Sequence, residues 1–321
     1  MTTGKIRIGT CSWTEKSLVE SGVFYPSGAS TPKARLRFYS GKFDTVEVDS
    51  SYYAIPTMEM AKAWADRTPE QFLFHLKAYG ALTGHTIDPR RLPEELRRML
   101  PEPERDREEL HVSDPETLRA MASAMLTALE PLKKVRKMGF VIFQFPPWFG
   151  HKNANMDYLL YCKELMAGTP IAVEFRHGSW LTSRHRDDLF SFLREHKITY
   201  ITCDEPQLGT LATAPFHPEA TTSVAYLRLH GRNAEEWQAR AAAGDEYLYR
   251  ETELNEIATE AVRLSEKTRL TFVMFNNCRG GCAVRNALQM RERCSQSLQH
   301  FVATPSSAPA GHLLPEGEGI K

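Results

Sequence analysis

The chain has 321 residues, of which 42% are apolar and 10% aromatic, with 40 basic side chains against 40 acidic ones. That apolar share can build a sizeable core and excludes wholesale disorder. The zero balance argues against a chain held on nucleic acid or membrane by bulk charge, so nucleic acid is not expected as a partner.

No apolar run approaches the about 18–20 residues that span a bilayer, and the amino terminus lacks a signal-peptide plan. Six cysteines in a chain of this length do not read as a disulfide framework. A cytoplasmic protein with reduced thiols is the expectation.

Short β-rich runs alternate with longer amphipathic stretches. Ile6–Ser12 comes first, then a helical pattern opened by Thr31-Pro32, with proline at the first helical position. Thr45–Ser51 follows, then a helix headed by Thr57, then Phe72–Lys77. Residues 80–113 join that run to its helix and read as a helical excursion or lid, or as a solvated surface insertion. Asp114-Pro115 heads the longest helix, followed by Phe140–Phe145, Ile171–Arg176, a helix beginning near Ser183, and Ile198–Asp204. Val224–His230 and Leu270–Asn276 complete the runs, and a last helix follows Cys282. Strand–helix alternation reads as parallel βα units, and eight of them close a (β/α)₈ TIM barrel. An open doubly wound sheet is the competing architecture. The barrel is placed at residues 1–302 and a disordered tail, rich in Pro, Gly and Ser, at 303–321.

The apolar runs end in polar residues, often two apart. They are Glu47 and Asp49, His75 and Lys77, Gln144, Glu174 and Arg176, Thr202 and Asp204, Arg228, His230 and Arg232, and Asn276 with Asn277 beside it. Side chains alternate faces along a strand, and buried charges are costly unless paired. Such residues inside apolar runs read as pointing into the carboxyl-terminal mouth of the barrel, where active sites form. A purely structural salt-bridge network shares this pattern. Trp13, Tyr52, Tyr53, Trp148 and Trp180 lie just beyond the strand ends. Mixed charge with aromatic walls suits an anionic small ligand carrying hydroxyls or a flat ring.

The segments IGTCSW, VEVDSSYY, FQFPPWF, VEFRHGSW, Asp204-Glu205-Pro206, YLRLHGR and FNN…NA resemble, in the right order, the YecE-like family, a domain of unknown function numbered 72. The resemblance covers roughly residues 5–300 and implies a TIM barrel without supplying a reaction. The family's motif positions fall here on Trp13, Glu47, Asp49, Tyr52, Gln144, Glu174, Arg176, Trp180, Asp204, Arg228, His230, Asn276 and Asn277. In that family a histidine often follows the paired asparagines; this chain has Cys278. Likeness to sugar isomerases and metal-dependent repair endonucleases is analogy at the level of fold.

The first chemical reading is acid/base catalysis on a small anionic, possibly phosphorylated, ligand. Asp49, Glu174, Asp204 and His230 are the catalytic candidates. Trp13, Glu47, Tyr52, Lys77, Gln144, Arg176, Trp180, Arg228, Arg232, Asn276 and Asn277 are the ligand-binding ones. The alternatives are a metal-dependent barrel and a non-catalytic binding protein. A divalent metal would take Glu47, Asp49, Glu174, Asp204 and His230. Against it, Lys77, Arg176 and Arg228 interleave with those acids, so no metal ligand is assigned. Cys278 and Cys282 have weak Cx₃C spacing with no second pair. An anion site is also expected where strands 7 and 8 run into His230-Gly231-Arg232 and Arg279-Gly280-Gly281.

Overall fold

Thr31, Thr57 and Asp114 start helices as their positions in the sequence imply. Their side chains accept from the backbone N–H of Ala34 at 3.1 Å, Met60 at 3.2 Å and Thr117 at 2.7 Å, satisfying donors that a first helical turn leaves orphaned. The computed structural model describes residues 4–209, 211–238 and 246–303. The expected tail, apart from Ala303, lies outside the described residues.

In chain order the elements are β1 (Lys5–Thr10), α1 (Lys16–Ser21), α2 (Pro32–Ser40), β2 (Thr45–Val48), α3 (Met58–Asp66), β3 (Leu73–Lys77), α4 (Glu94–Met99) and α5 (Pro115–Lys134). Then come β4 (Met138–Gln144), α6 (Asn153–Leu165), β5 (Ile171–Glu174), α7 (Arg186–Glu195), β6 (Thr199–Asp204), β7 (Val224–Leu229), α8 (Ala234–Gln238), α9 (Glu251–Ser265), β8 (Leu270–Phe275) and α10 (Cys282–Ala303). The helix expected near Ser183 starts at Arg186, because Thr182 supplies the carbonyl that the N–H groups of His185 and Arg186 donate to. Among described residues, the connection from β6 to β7 carries no helix.

All eight strands are parallel neighbours in the order β1-β8-β7-β6-β5-β4-β3-β2. This is a nearly closed (β/α)₈ TIM barrel, not a doubly wound sheet. Its one seam, between β1 and β2, is closed by side chains. The Tyr39 hydroxyl on α2 accepts from Thr10 N–H at 2.9 Å and donates to the Thr45 carbonyl at 3.2 Å. Gly9 permits the close approach: a Cβ there would lie 2.4 Å from the Thr45 oxygen.

Inside the barrel, His75 stacks on Phe140 with centroids 5.8 Å apart and meets Tyr226 and Phe272 edge-on. Its ring nitrogens bond Thr45 Oγ1 at 3.1 Å and the Phe140 N–H at 3.2 Å. This aromatic layer is the floor on which the polar residues stand. The segment 80–113 is folded against the barrel, with Leu82, Ile87, Leu92, Leu96, Leu100 and Leu110 buried.

Candidate active site

Arg228 on β7 is the centre of the polar layer and has no solvent-exposed surface. Its Nε donates to Glu47 Oε2 at 3.1 Å, and its Nη2 lies 2.6 Å from Glu47 Oε1. Nη1 donates to Glu174 Oε2 at 2.8 Å and to Gln144 Oε1 at 2.7 Å. Nη2 donates to Asp49 Oδ1 at 3.3 Å and Asn276 Oδ1 at 3.4 Å. One guanidinium on β7 thus ties together side chains from β2, β4 and β5 and from the ends of β2 and β8. A planar fork with five N–H donors can do this; an ammonium cannot.

Arg176 forms the second node. Its Nη1 donates to Glu174 Oε1 at 2.9 Å, its Nε lies 3.2 Å from Glu205 Oε2, and its guanidinium sits 4.2 Å from the Trp237 ring centre. His230 links the two nodes. The Asn276 amide nitrogen faces His230 Nδ1 at 2.9 Å, and its oxygen is already turned to Arg228. The other ring nitrogen of His230, Nε2, lies 3.2 Å from Glu174 Oε1 and 2.9 Å from Arg176 Nη1.

The environments drive the two kinds of carboxyl apart. Burial pushes Glu174 up, but Arg228, His230 and Arg176 outweigh it and hold the carboxyl well below its usual range. Burial pushes Asp49 up to about 7, with Lys77 and Arg228 pulling down and Glu47 adding to the rise. Burial likewise pushes Glu205 up to about 7, against Arg176. It drives His230 down to about 3, with Arg176 adding to the effect. Near neutral pH the site therefore holds a fixed carboxylate, a neutral imidazole and two carboxyls poised to gain or lose a proton.

At the mouth, Asp49 opens a 3-10 turn, Asp49–Tyr52, and its side chain is 30% exposed. Lys77, 13% exposed, brings its Nζ to 3.9 Å from Asp49 Oδ1 and to 4.7 Å from the Tyr52 ring centre.

Five expected site residues lie elsewhere. Asp204 faces away from the polar layer, because its neighbours Cys203 and Glu205 take the positions that meet Glu174, His230 and Arg176. Its carboxylate takes a two-pronged contact from Arg232, at 3.0 and 2.7 Å, and a bond from Tyr249 at 2.8 Å. Arg232 is accordingly occupied there, with Glu253 at 3.7 Å. Trp180 is buried in a stack with Phe175 and Phe149 and donates to the Phe149 carbonyl at 2.6 Å. Trp13 packs edge-on against Trp64 and Phe74, in the layer between barrel and helices. Asn277 donates to Tyr247 O and Asn286 Oδ1, which fastens the loop ahead of α10.

At the anion site expected after strands 7 and 8, two backbone amides have partners within the chain. Gly231 N–H donates to Tyr249 Oη and Gly280 N–H to Ser17 Oγ, each at 2.9 Å, so those amides are taken.

Sequence parity missed Glu205, Cys203, Cys11 and Trp237. Cys11 Sγ lies 3.4 Å from Glu47 Oε2. Cys203 and Glu205 are two apart, the same signal as elsewhere, but the acidic Asp204 between them drew the alternation onto the wrong face. Glu174, Cys203 and His230 bring donor atoms within 4.8 Å of one another. The Arg176 Nη1, however, sits 2.9 Å from both Glu174 Oε1 and His230 Nε2. A guanidinium holds the position a cation would take, so this donor set does not fit a metal. A cleft of about 370 Å³ between α2 and α10 contains Phe43, Asp44 and Arg291 but none of the site residues.

Fold and site together define a TIM-barrel protein whose buried acid–arginine network fills the carboxyl-terminal mouth. The family model described as "Protein of unknown function DUF72" matches residues 7–312, and the chain belongs to that family. It is similar to the UPF0759 protein YunF of Bacillus subtilis (strain 168), 32% identical over 293 residues, 89% of this chain and 94% of that one. A crystal structure of a DUF72 family protein from Thermotoga maritima MSB8 has a TM-score of 0.72 at 29% identity, covering 90% of this chain and 99% of that one. One from Enterococcus faecalis V583 has a TM-score of 0.72 at 28% identity, covering 91% and 96%.

Proposed function

We propose that this protein is an enzyme that moves a proton on a small anionic ligand bound at the barrel mouth. Asp49 carries that proton. The supporting observation is its carboxyl, pushed up to about 7 and 30% exposed, beside Lys77 and over the Arg228 network. A group that titrates near neutral pH and can be reached from the mouth is suited to general acid/base work. Lys77 meets the ligand's negative charge, and Gln144 and Asn276, held by Arg228, orient its polar groups. Glu174 stays ionised and keeps both arginines in place. A cytoplasmic setting accords with six cysteines that form no disulfide.

The test is deuterium incorporation. Wild type and Asp49→Asn are incubated in D₂O with a panel of small carboxylates and phosphates, and loss of C–H signal is followed by proton NMR. Wild type is expected to exchange or turn over at least one compound, and Asp49→Asn to slow it by about 10²-fold or more. Equal rates, or no exchange and no turnover across the panel, would overturn the proposal.

A further inference from the structure

Trp148 is 69% exposed, more than any other large apolar side chain described. An exposed tryptophan gives up a large gain from burial, yet this one is firmly placed. It follows Pro146-Pro147. The Phe149 N–H donates to the Pro146 carbonyl and the Gly150 N–H to the Trp148 carbonyl, each at 2.9 Å. The next ring, Phe149, stacks on Phe145 at 4.1 Å and on Trp180 at 5.7 Å. The backbone therefore holds the indole out on the rim.

A line of rings runs inward from it. Trp148 meets His85 edge-on at 5.7 Å, and His85 meets Tyr52 edge-on at 5.3 Å. Burial, with Lys77 adding, drives His85 down to about 4, so it stands there as a neutral ring. Tyr52 carries Lys77 on its face, and Lys77 reaches Asp49. The rim is thus aromatic and the foot is charged.

We infer that Trp148, with His85 and Tyr52 beside it, is a ring-stacking subsite, and that the ligand is a small anion bearing a planar heteroaromatic ring, as a nucleoside monophosphate does. The inference rests on the acid/base reading of Asp49 and deepens it. The anionic end meets Lys77 at the foot, as a phosphate or carboxylate meets an ammonium. The flat ring lies on the indole, where stacking of a base contributes about 1–3 kcal/mol.

Binding of adenosine 5′-monophosphate, adenosine and ribose 5-phosphate to the full chain is measured by calorimetry. The variants are Trp148→Ala, Trp148→Phe and Lys77→Met. Adenosine monophosphate is expected to bind tightest. Trp148→Ala should weaken it roughly 5- to 150-fold, Trp148→Phe should restore most of the loss, and ribose 5-phosphate should respond only to Lys77→Met. Three results would overturn the inference. One is an effect of Trp148→Ala below about twofold; another is ribose 5-phosphate binding as tightly as the nucleotide; the third is no nucleotide binding at millimolar concentration. Deuterium exchange that persists alongside such a result would leave the role of Asp49 standing. Nucleotide binding without Asp49-dependent exchange would remove that role and keep the subsite.

Discussion

Glu174 accepts from Arg176 with one oxygen and from Arg228 with the other, and none of its side chain is exposed. Removing one partner of such a buried group strands the remaining charges, which typically costs ~3–5 kcal/mol. Glu174→Gln should therefore lower stability by that order in urea denaturation. Arg176→Lys should also destabilise, because an ammonium cannot serve Glu174 and Glu205 from one planar fork. Unchanged melting of both variants would contradict the buried network.

Asp49 gives a signed pH dependence at the same scale. Its folded pKa of about 7 lies above the ordinary 3.8, so the folded state holds the proton more tightly than the unfolded chain. The associated stability is complete below about 3.8 and is lost as pH rises through about 7. Glu205, raised from 4.5 to about 7, acts in the same direction. Asp49→Asn should thus flatten the decline of melting temperature between about pH 5 and 8. A decline of unchanged steepness would show that Asp49 does not titrate in that window.

Among the elements, the β1–β2 seam is the informative one. Every other neighbouring pair of strands is joined by a backbone ladder, whereas here the Tyr39 hydroxyl serves both edges. Tyr39→Phe leaves the buried Thr10 N–H and Thr45 carbonyl without that partner, which should cost about 1–3 kcal/mol in chemical denaturation. Gly9→Ala should cost more than Tyr39→Phe, since the added carbon meets backbone rather than a side chain that can turn away. If Gly9→Ala were neutral, the strands would not approach as closely as described.

Helix boundaries show at the same scale what local sequence can carry. Thr31, Thr57 and Asp114 announce their helices because each accepts the N–H bond that a helix start requires. The helices α1, α6 and α9 had no such announcement. They begin after Glu15, Lys152 and Arg250, residues outside the usual capping set.

For the whole molecule, the six cysteines are unpaired and buried. Burial pushes the Cys11, Cys162 and Cys203 thiols well above their ordinary range. Reaction with a thiol reagent at pH 8 should therefore be slow in the native protein and should reach all six on unfolding. Rapid labelling of six thiols under native conditions would mean that the barrel opens readily.

The amino-acid sequence by itself determined the eight parallel strands, the barrel they form and the period-two polar residues at their ends. Glu47, Asp49, Gln144, Glu174, Arg176, Arg228, His230 and Asn276 were legible as a group because a charged residue inside an apolar run has few physical explanations. Which face a residue takes at the last position of a strand was decided only by the tertiary structure. Asp204 and Glu205 are adjacent in sequence, but one meets Arg232 and Tyr249 outside the polar layer and the other meets Arg176 within it. Trp13 and Trp180 went into the packing between barrel and helices, while Trp148 was left on the rim. An aromatic side chain is equally at home in a core and at a binding surface, so only the arrangement of its neighbours in space separates the two.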